Sequence, residues 1–167
     1  SPDGAWTFVA IHHPLYSADP NHPGGFLDVR GRWEPVFIEW GVSAVFSAHV
    51  HAYEHVERHG IHYFTVATGG APSYSLSPVK PEGYITGLEN TLGYALVMVN
   101  CTNNSAVIEF VKVADVHGNT IQMYPPGTVY ERVVLSRDSV VKGNWEGSGF
   151  PIIFTSQFGD KKFILLT

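Results

Sequence analysis

The chain has 167 residues, 44% of them hydrophobic and 15% charged, enough for one domain with a sizeable core. With 10 basic against 15 acidic residues and a net charge of −5, it lacks the clustered Lys and Arg of a nucleic-acid surface, though a small nucleotide in a metal site stays open. No apolar run approaches the roughly 20 residues of a membrane span, and a single cysteine, Cys101, excludes an internal disulfide.

In chain order, the apolar run 5–11 reads as a buried strand that stops at His12-His13-Pro14, because proline cannot continue strand pairing. Residues 16–26 form a loop rich in Pro, Gly, Asn and Asp. A short helix is expected over 32–40, with Pro35 in its first turn and Gly41 as its stop. A second buried strand, 42–47, runs into His49-Val50-His51. If the two strands are parallel neighbours, their C-terminal ends lie side by side and the histidines converge, at the place where open α/β sheets bind ligands.

Beyond Glu54 the pattern is β. Strands 55–58 and 61–68 flank the hairpin signal His59-Gly60. Gly69-Gly70 reads either as a close approach of backbone to the site or as a plain turn. Residues 73–90 read as a loop, and 92–100, 106–113 and 129–135 as strands, the first two joined by a turn over 102–105. Short apolar pieces at 150–155 and 162–166 surround Gly159-Asp160. A boundary near Asp138 divides the chain into a main unit, 1–137, and a C-terminal extension with short strands, 138–167. Asn100-Cys101-Thr102 and Asn103-Asn104-Ser105 fit a glycosylation pattern that is short and common, so the compartment stays open.

Nine histidines are the unusual count, four of them (His49, His51, His55 and His59) within eleven residues. In an extended strand residues two apart point the same way, about 7 Å along the chain. His49 and His51 so placed suit one metal ion, or one each of two ions about 3.5–4 Å apart. Read alone, the pair equally suits two exposed histidines on a surface strand. His12-His13 at the end of the preceding strand supplies the context that favours a metal.

At these residues the chain resembles a known family. Val9-Ala10-Ile11-His12-His13-Pro14-Leu15-Tyr16-Ser17 is similar to the penultimate signature of the calcineurin-like metallophosphoesterases. Ala48-His49-Val50-His51-Ala52-Tyr53-Glu54 resembles their last signature, usually Gly-His-x-His, and the stretch 30–37 between them is similar to the purple acid phosphatase branch. The resemblance covers residues 6–70 well and the later strands only in general character. It implies a β-rich α/β to α+β fold, the C-terminal half of a β-sandwich with sheet packed on sheet and flanking helices. It also implies a phosphoric ester hydrolase in which a binuclear centre of Zn, Fe or Mn ions supplies a metal-bound hydroxide. Carried over by position, His12 and His49 bind one ion and His51 the other. His22 contacts substrate and protonates the leaving group, Tyr53 contacts substrate, and His13 and His55 support the ligands from behind, His55 standing where relatives have Arg.

Two departures qualify this. Ala48 replaces the usual Gly, which would strain a backbone that needs positive φ. No Asp-x-His, Gly-Asp or Gly-Asn-His pattern precedes His12, where the family's N-terminal half carries them, and with them the bridging carboxylate is missing. The chain is therefore expected to be a fragment, inactive alone, with a phosphate ester as substrate and the missing half or a second copy as partner on an uncovered sheet face and edge. The competing reading is a metal-binding or interaction module that kept the histidines without the chemistry. A plain β-rich adhesion domain fails to explain why both histidine groups follow buried strands.

Overall fold

The computed structural model describes residues 6–100, 104–136, 154–158 and 161–165. Ten strands and one helix run in the order β1 (Phe8–Ile11), α1 (Leu27–Glu39), β2 (Ala44–Ser47), β3 (Tyr53–Arg58), β4 (Ile61–Val66), β5 (Tyr84–Leu88), β6 (Thr91–Asn100), β7 (Ser105–His117), β8 (Thr120–Ser136), β9 (Phe154–Phe158) and β10 (Lys161–Leu165). They form a seven-stranded sheet, β5-β3-β4-β2-β1-β10-β9, and a three-stranded sheet, β6-β7-β8. The β-rich sheet-on-sheet class expected from the sequence is the class observed, with a single helix among the described residues.

The expected parallel pair forms: β1 and β2 run side by side from Phe8↔Ala44 to Ile11↔Ser47, with α1 as the crossover. Strand alternation then splits the side chains between two cores. Val9, Val45, Val56 and Tyr63 face the helix and cluster with Leu15 and the helix's own Phe37. Ala44, Tyr53 and Phe64 face the small sheet and meet Ala106, Ile108, Phe110 and Leu135.

The helix is longer than expected. It starts at Leu27, which puts Pro35 in its interior, where it has no N–H to give to the carbonyl of Gly31. Val29, Trp33 and Phe37, four apart on one face, pack on the core and outweigh that lost bond. Its end is as expected: Gly41 is left-handed at φ +58, Gly41 N–H donates to Ile38 O and Val42 N–H to Phe37 O, a Schellman closure.

His59 and Gly60, at φ +54 and +71, make the two-residue turn of the β3–β4 hairpin. The expected loop 73–90 contains a strand, β5, which the β-favouring Tyr84-Ile85-Thr86 pairs to the edge of β3. β8 begins at Thr120, nine residues before its expected start. Its Pro125-Pro126-Gly127 is looped out between Met123, opposite Ala114, and Thr128, opposite Lys112. An edge strand tolerates such an insertion, because its outer N–H groups have no ladder to complete.

The β9–β10 hairpin lies within the expected extension, and β10 pairs with the outer edge of β1. The expected boundary near Asp138 falls outside the described residues. The outer face of the small sheet exposes Tyr94, Leu96, Met98 and Val134.

Between the sheets runs a polar chain. The Tyr53 hydroxyl donates to Glu131 Oε2 at 2.6 Å, His55 Nδ1 to Glu131 Oε1 at 2.7 Å, and His62 Nδ1 to His55 Nε2 at 2.9 Å. These directions satisfy every bond with both imidazoles neutral and the carboxylate ionised. Burial, then the neighbouring His55, lowers the His62 pKa. The folded state therefore holds the His62 proton less well than the unfolded chain, so this contribution to stability is complete above the ordinary histidine pKa of about 6.5 and falls as pH drops below it. Urea unfolding at pH 7.5 and pH 5.5 should show the wild type losing stability on acidification, and His62→Gln losing less. An equal loss in both proteins would remove His62 as the cause.

Candidate metal site

Two loops make the site, and both leave the sheet at the C-terminal ends of the parallel strands. Past the end of the β1–β2 pairing, Ala48 N–H donates to His12 O at 3.0 Å, so the loops stay side by side. There the expected strand ends: β2 stops at Ser47, and His49 takes the left-handed conformation at φ +59. Val50 N–H to Ala48 O and Ala52 N–H to Val50 O, each at 2.7 Å, turn the chain twice more. The expectation that His49 and His51 share a strand face is thus corrected. The strained position is His49, and Ala48 has no positive φ, so its replacement of Gly is mild. Left-handed non-glycine residues gather at functional sites, and histidine adopts this conformation more readily than most.

The tight turns send the two histidines different ways. His49 goes to His12, with His12 Nε2 and His49 Nδ1 3.1 Å apart. Ligand nitrogens of His12, His13 and His49 all lie within 4.8 Å of one another, with His12 exposed and the other two half-buried. The His49 pKa is lowered, first by partial burial, then by His13, His12 and His22 around it, with Asp19 opposing. His51 lies outside this group. Its Nδ1 donates to Pro72 O at 2.9 Å and its ring rests on Tyr74, 4.5 Å between centroids. That bond leaves Nε2 as the free nitrogen, the arrangement usual for a metal-ligating histidine. The turn that brings Pro72 to His51 follows Gly69-Gly70. A Cβ on either glycine would meet nothing within 4 Å, so it is the φ of +117 at Gly70, not a close approach, that calls for glycine.

His22 sits on the rim, 6.1 Å from His49 between ring centroids, and stacks on Phe26 at 4.0 Å. Its Nδ1 donates to Asp19 Oδ2 at 2.7 Å, while Asp19 Oδ1 accepts the Asn21 N–H at 3.0 Å and fixes the turn. Asp19 is 1% exposed. Two expected site residues are elsewhere. Tyr53 and His55 are each 1% exposed and belong to the inter-sheet chain through Glu131, so the structure does not bring them to the histidine cluster.

Two acids that the sequence reading left unassigned hold the site. Asp19 orients His22, and the Asp-x-x-His spacing was a signal for it. Glu54, fully buried, accepts Ser17 Oγ at 2.6 Å and Ala18 N–H at 2.7 Å. Ser17 Oγ in turn accepts the Asp19 N–H at 3.0 Å. Burial raises the Glu54 pKa against the opposing pull of those bonds. Glu54 thereby ties the His12–His22 loop to β3, the strand that follows His51. Gly25 closes that loop at φ +103, where a Cβ would stand 2.3 Å from Leu15 O.

No family model matches the chain. In sequence it is similar to purple acid phosphatase 19 of Arabidopsis thaliana, 34% identical over 84 residues, covering 48% of this chain and 20% of that protein. It is also similar to purple acid phosphatase 1 of Ipomoea batatas, 42% identical over 53 residues, covering 32% of this chain and 11% of the relative. A third relative, 40% identical over 53 residues, 32% of this chain and 11% of its own length, is the Fe(3+)-Zn(2+) purple acid phosphatase 12 of Arabidopsis thaliana. The chain spans about a fifth or less of these curated relatives. In fold it is similar to the purple acid phosphatase PPD1 of yellow lupin, with a TM-score of 0.67 at 15% identity over 88% of this chain and 28% of that one. It is also similar to GAP50, the anchor in the inner membrane complex of Plasmodium, with a TM-score of 0.55 at 16% identity over 87% of this chain and 47% of that one. At these identities the structural likeness speaks to the fold alone.

Glu54→Ala strands two buried donors, Ser17 Oγ–H and Ala18 N–H, and should cost about 2–4 kcal/mol of folding stability in urea unfolding at pH 7.5. A loss below about 0.5 kcal/mol, the range of ordinary surface substitutions, would show that Glu54 does not anchor the loop.

Proposed function

We propose that this chain, similar in sequence and in fold to the purple acid phosphatases, is the histidine-donating part of a metal-dependent phosphoric ester hydrolase. The observation that carries the reading is the 3.1 Å separation of His12 Nε2 and His49 Nδ1. Two ligands of one tetrahedral ion at about 2.0–2.1 Å stand roughly 3.3 Å apart. Two histidines from loops 37 residues apart in sequence already stand at that edge length. His51, with Nδ1 on Pro72 and Nε2 free, has the tautomer of a ligand to a second, neighbouring ion.

The residues present fit one ion and part of a second. The metal-binding group among the described residues contains no carboxylate, so a carboxylate-bridged pair draws ligands from a part of the enzyme outside that group. The exposed apolar face of β6–β8 supports packing against that remainder. Nitrogen-rich ligation suits Zn, Fe or Mn, and iron with zinc is named for one relative. When bound, a pair of such ions supplies an activated water and neutralises the phosphoryl oxygens.

The chain's own residues then have separable tasks. His12, His49 and His51 hold the ions. Asp19 keeps His22 Nδ1–H engaged, so that protonated His22 offers its Nε2–H to the leaving oxygen. Glu54 and Gly25 hold the loop on which that histidine sits.

Zn²⁺ titration of the 167-residue chain at pH 7.5 should show binding that His12→Ala/His49→Ala abolishes; equal binding by both proteins would remove the site. Alone, the chain should hydrolyse nitrophenyl phosphate negligibly, and robust metal-dependent turnover would show that its site is complete. In the full-length enzyme, His22→Ala should lower kcat about 10²–10⁴-fold for an alkyl phosphate, whose leaving group needs the proton, and much less for nitrophenyl phosphate. Metal content should not change. Equal slowing of both esters would make His22 a phosphate contact only. A full-length protein that binds metal and turns over no phosphate ester would be the non-catalytic module instead.

A further inference from the structure

One member of the three-imidazole group has no role as a ligand in the family pattern. His13 follows His12 directly, and in a continuing strand the two would point to opposite faces. β1 ends at Ile11, however, and the buried Pro14 holds the chain off strand geometry. Both rings consequently lie on the same side, with centroids 4.8 Å apart and planes at 85°. The His13 ring is 4.6 Å from His49 and is backed at 4.5 Å by Phe26, the residue that precedes α1.

We propose that His13 is the third protein ligand of the ion held by His12 and His49, so that this chain by itself carries a mononuclear three-histidine site for a borderline divalent ion such as Zn²⁺. The inference rests on the metal-binding reading of His12 and His49 and adds a ligand to it. Three facts support it. The nitrogens of all three residues lie within 4.8 Å of one another, whereas His51 lies outside the group with its Nδ1 on Pro72. His12 is exposed, so an ion held there stays accessible from that side. The donor set is all imidazole, which suits Zn²⁺ or Co²⁺ and not Mg²⁺ or Ca²⁺. Three histidines and one open position also make a known zinc geometry.

The test is a Zn²⁺ titration of the 167-residue chain, with X-ray absorption on the zinc-loaded protein to count imidazoles and circular dichroism to check folding. His13→Ala removes the ring. His13→Phe keeps a ring against Phe26 and His49 but has no ligand nitrogen. Both should weaken the first equivalent of zinc at least about tenfold, in line with the loss of a metal contact. The imidazole count should drop from three to two, and His51→Ala should leave that first equivalent unchanged. Wild-type affinity in His13→Phe with weakened binding in His13→Ala would make the ring a packing element and overturn the proposal. Unchanged binding in both His13 variants, with binding lost in His12→Ala, would overturn the His13 ligand while leaving the His12–His49 site standing. Unchanged binding in His12→Ala as well would bring down both.

Discussion

Parallel pairing of β1 with β2 is the constraint on which the rest of this structure depends. Neither strand has a histidine inside it, and each is only four residues long. Because they run the same way and in register, Ile11 opposite Ser47, whatever follows each strand leaves the sheet at the same place. The Ala48–His12 hydrogen bond carries that register one step beyond the strands. A slip of one residue would exchange the side chains facing helix and small sheet, setting Val9 and Val45 against the wrong layers. Core packing on both faces therefore fixes the position of the histidines indirectly, through a register that neither histidine takes part in.

Backbone and buried supports surround the site histidines. The Schellman closure at Gly41 sets where β2 begins, the left-handed Gly25 sets how the His22 loop returns to α1, and buried Glu54 holds that loop to the opposite side of the site. His49 adds a fourth device, a left-handed backbone that aims one ring at His12 and lets the next histidine turn to Pro72. The strain of a non-glycine residue at that φ is of order 1 kcal/mol or somewhat more. It is tolerated because the strand register and the tight turns on either side over-determine the conformation. The inter-sheet chain Tyr53–Glu131–His55–His62 plays the corresponding part on the other face of the large sheet, and its hydrogen bonds account for one histidine of the dense cluster, His55, and for His62 after it.

Much of this was legible in the residues. The apolar runs ending in histidine, the Gly41 stop, the His59-Gly60 turn and the alternating later strands are local signals, set by side-chain period and by which residues tolerate positive φ. The likeness of two histidine-bearing segments to metallophosphoesterase signatures points to the same kind of protein, the purple acid phosphatases, that the chain is similar to in sequence. Local rules misled where packing outweighed them. Pro35 marked a helix start, yet the Val29-Trp33-Phe37 stripe gained more by burying than the helix lost at one missing bond. The loop over 73–90 concealed β5, because an edge strand needs a partner and little hydrophobic pattern of its own.

The sequence by itself determined which residue types are available, where strands end and which histidines follow them, since these depend on neighbours along the chain. Only the tertiary structure decided how those histidines are shared out: His12, His13 and His49 together, His51 on the Pro72 carbonyl, His22 on Asp19, and His55 with Tyr53 buried between the sheets. The reason is physical. Direction at the site comes from a left-handed turn, a buried carboxylate and a strand register, and each of these is fixed by contacts between residues far apart in sequence.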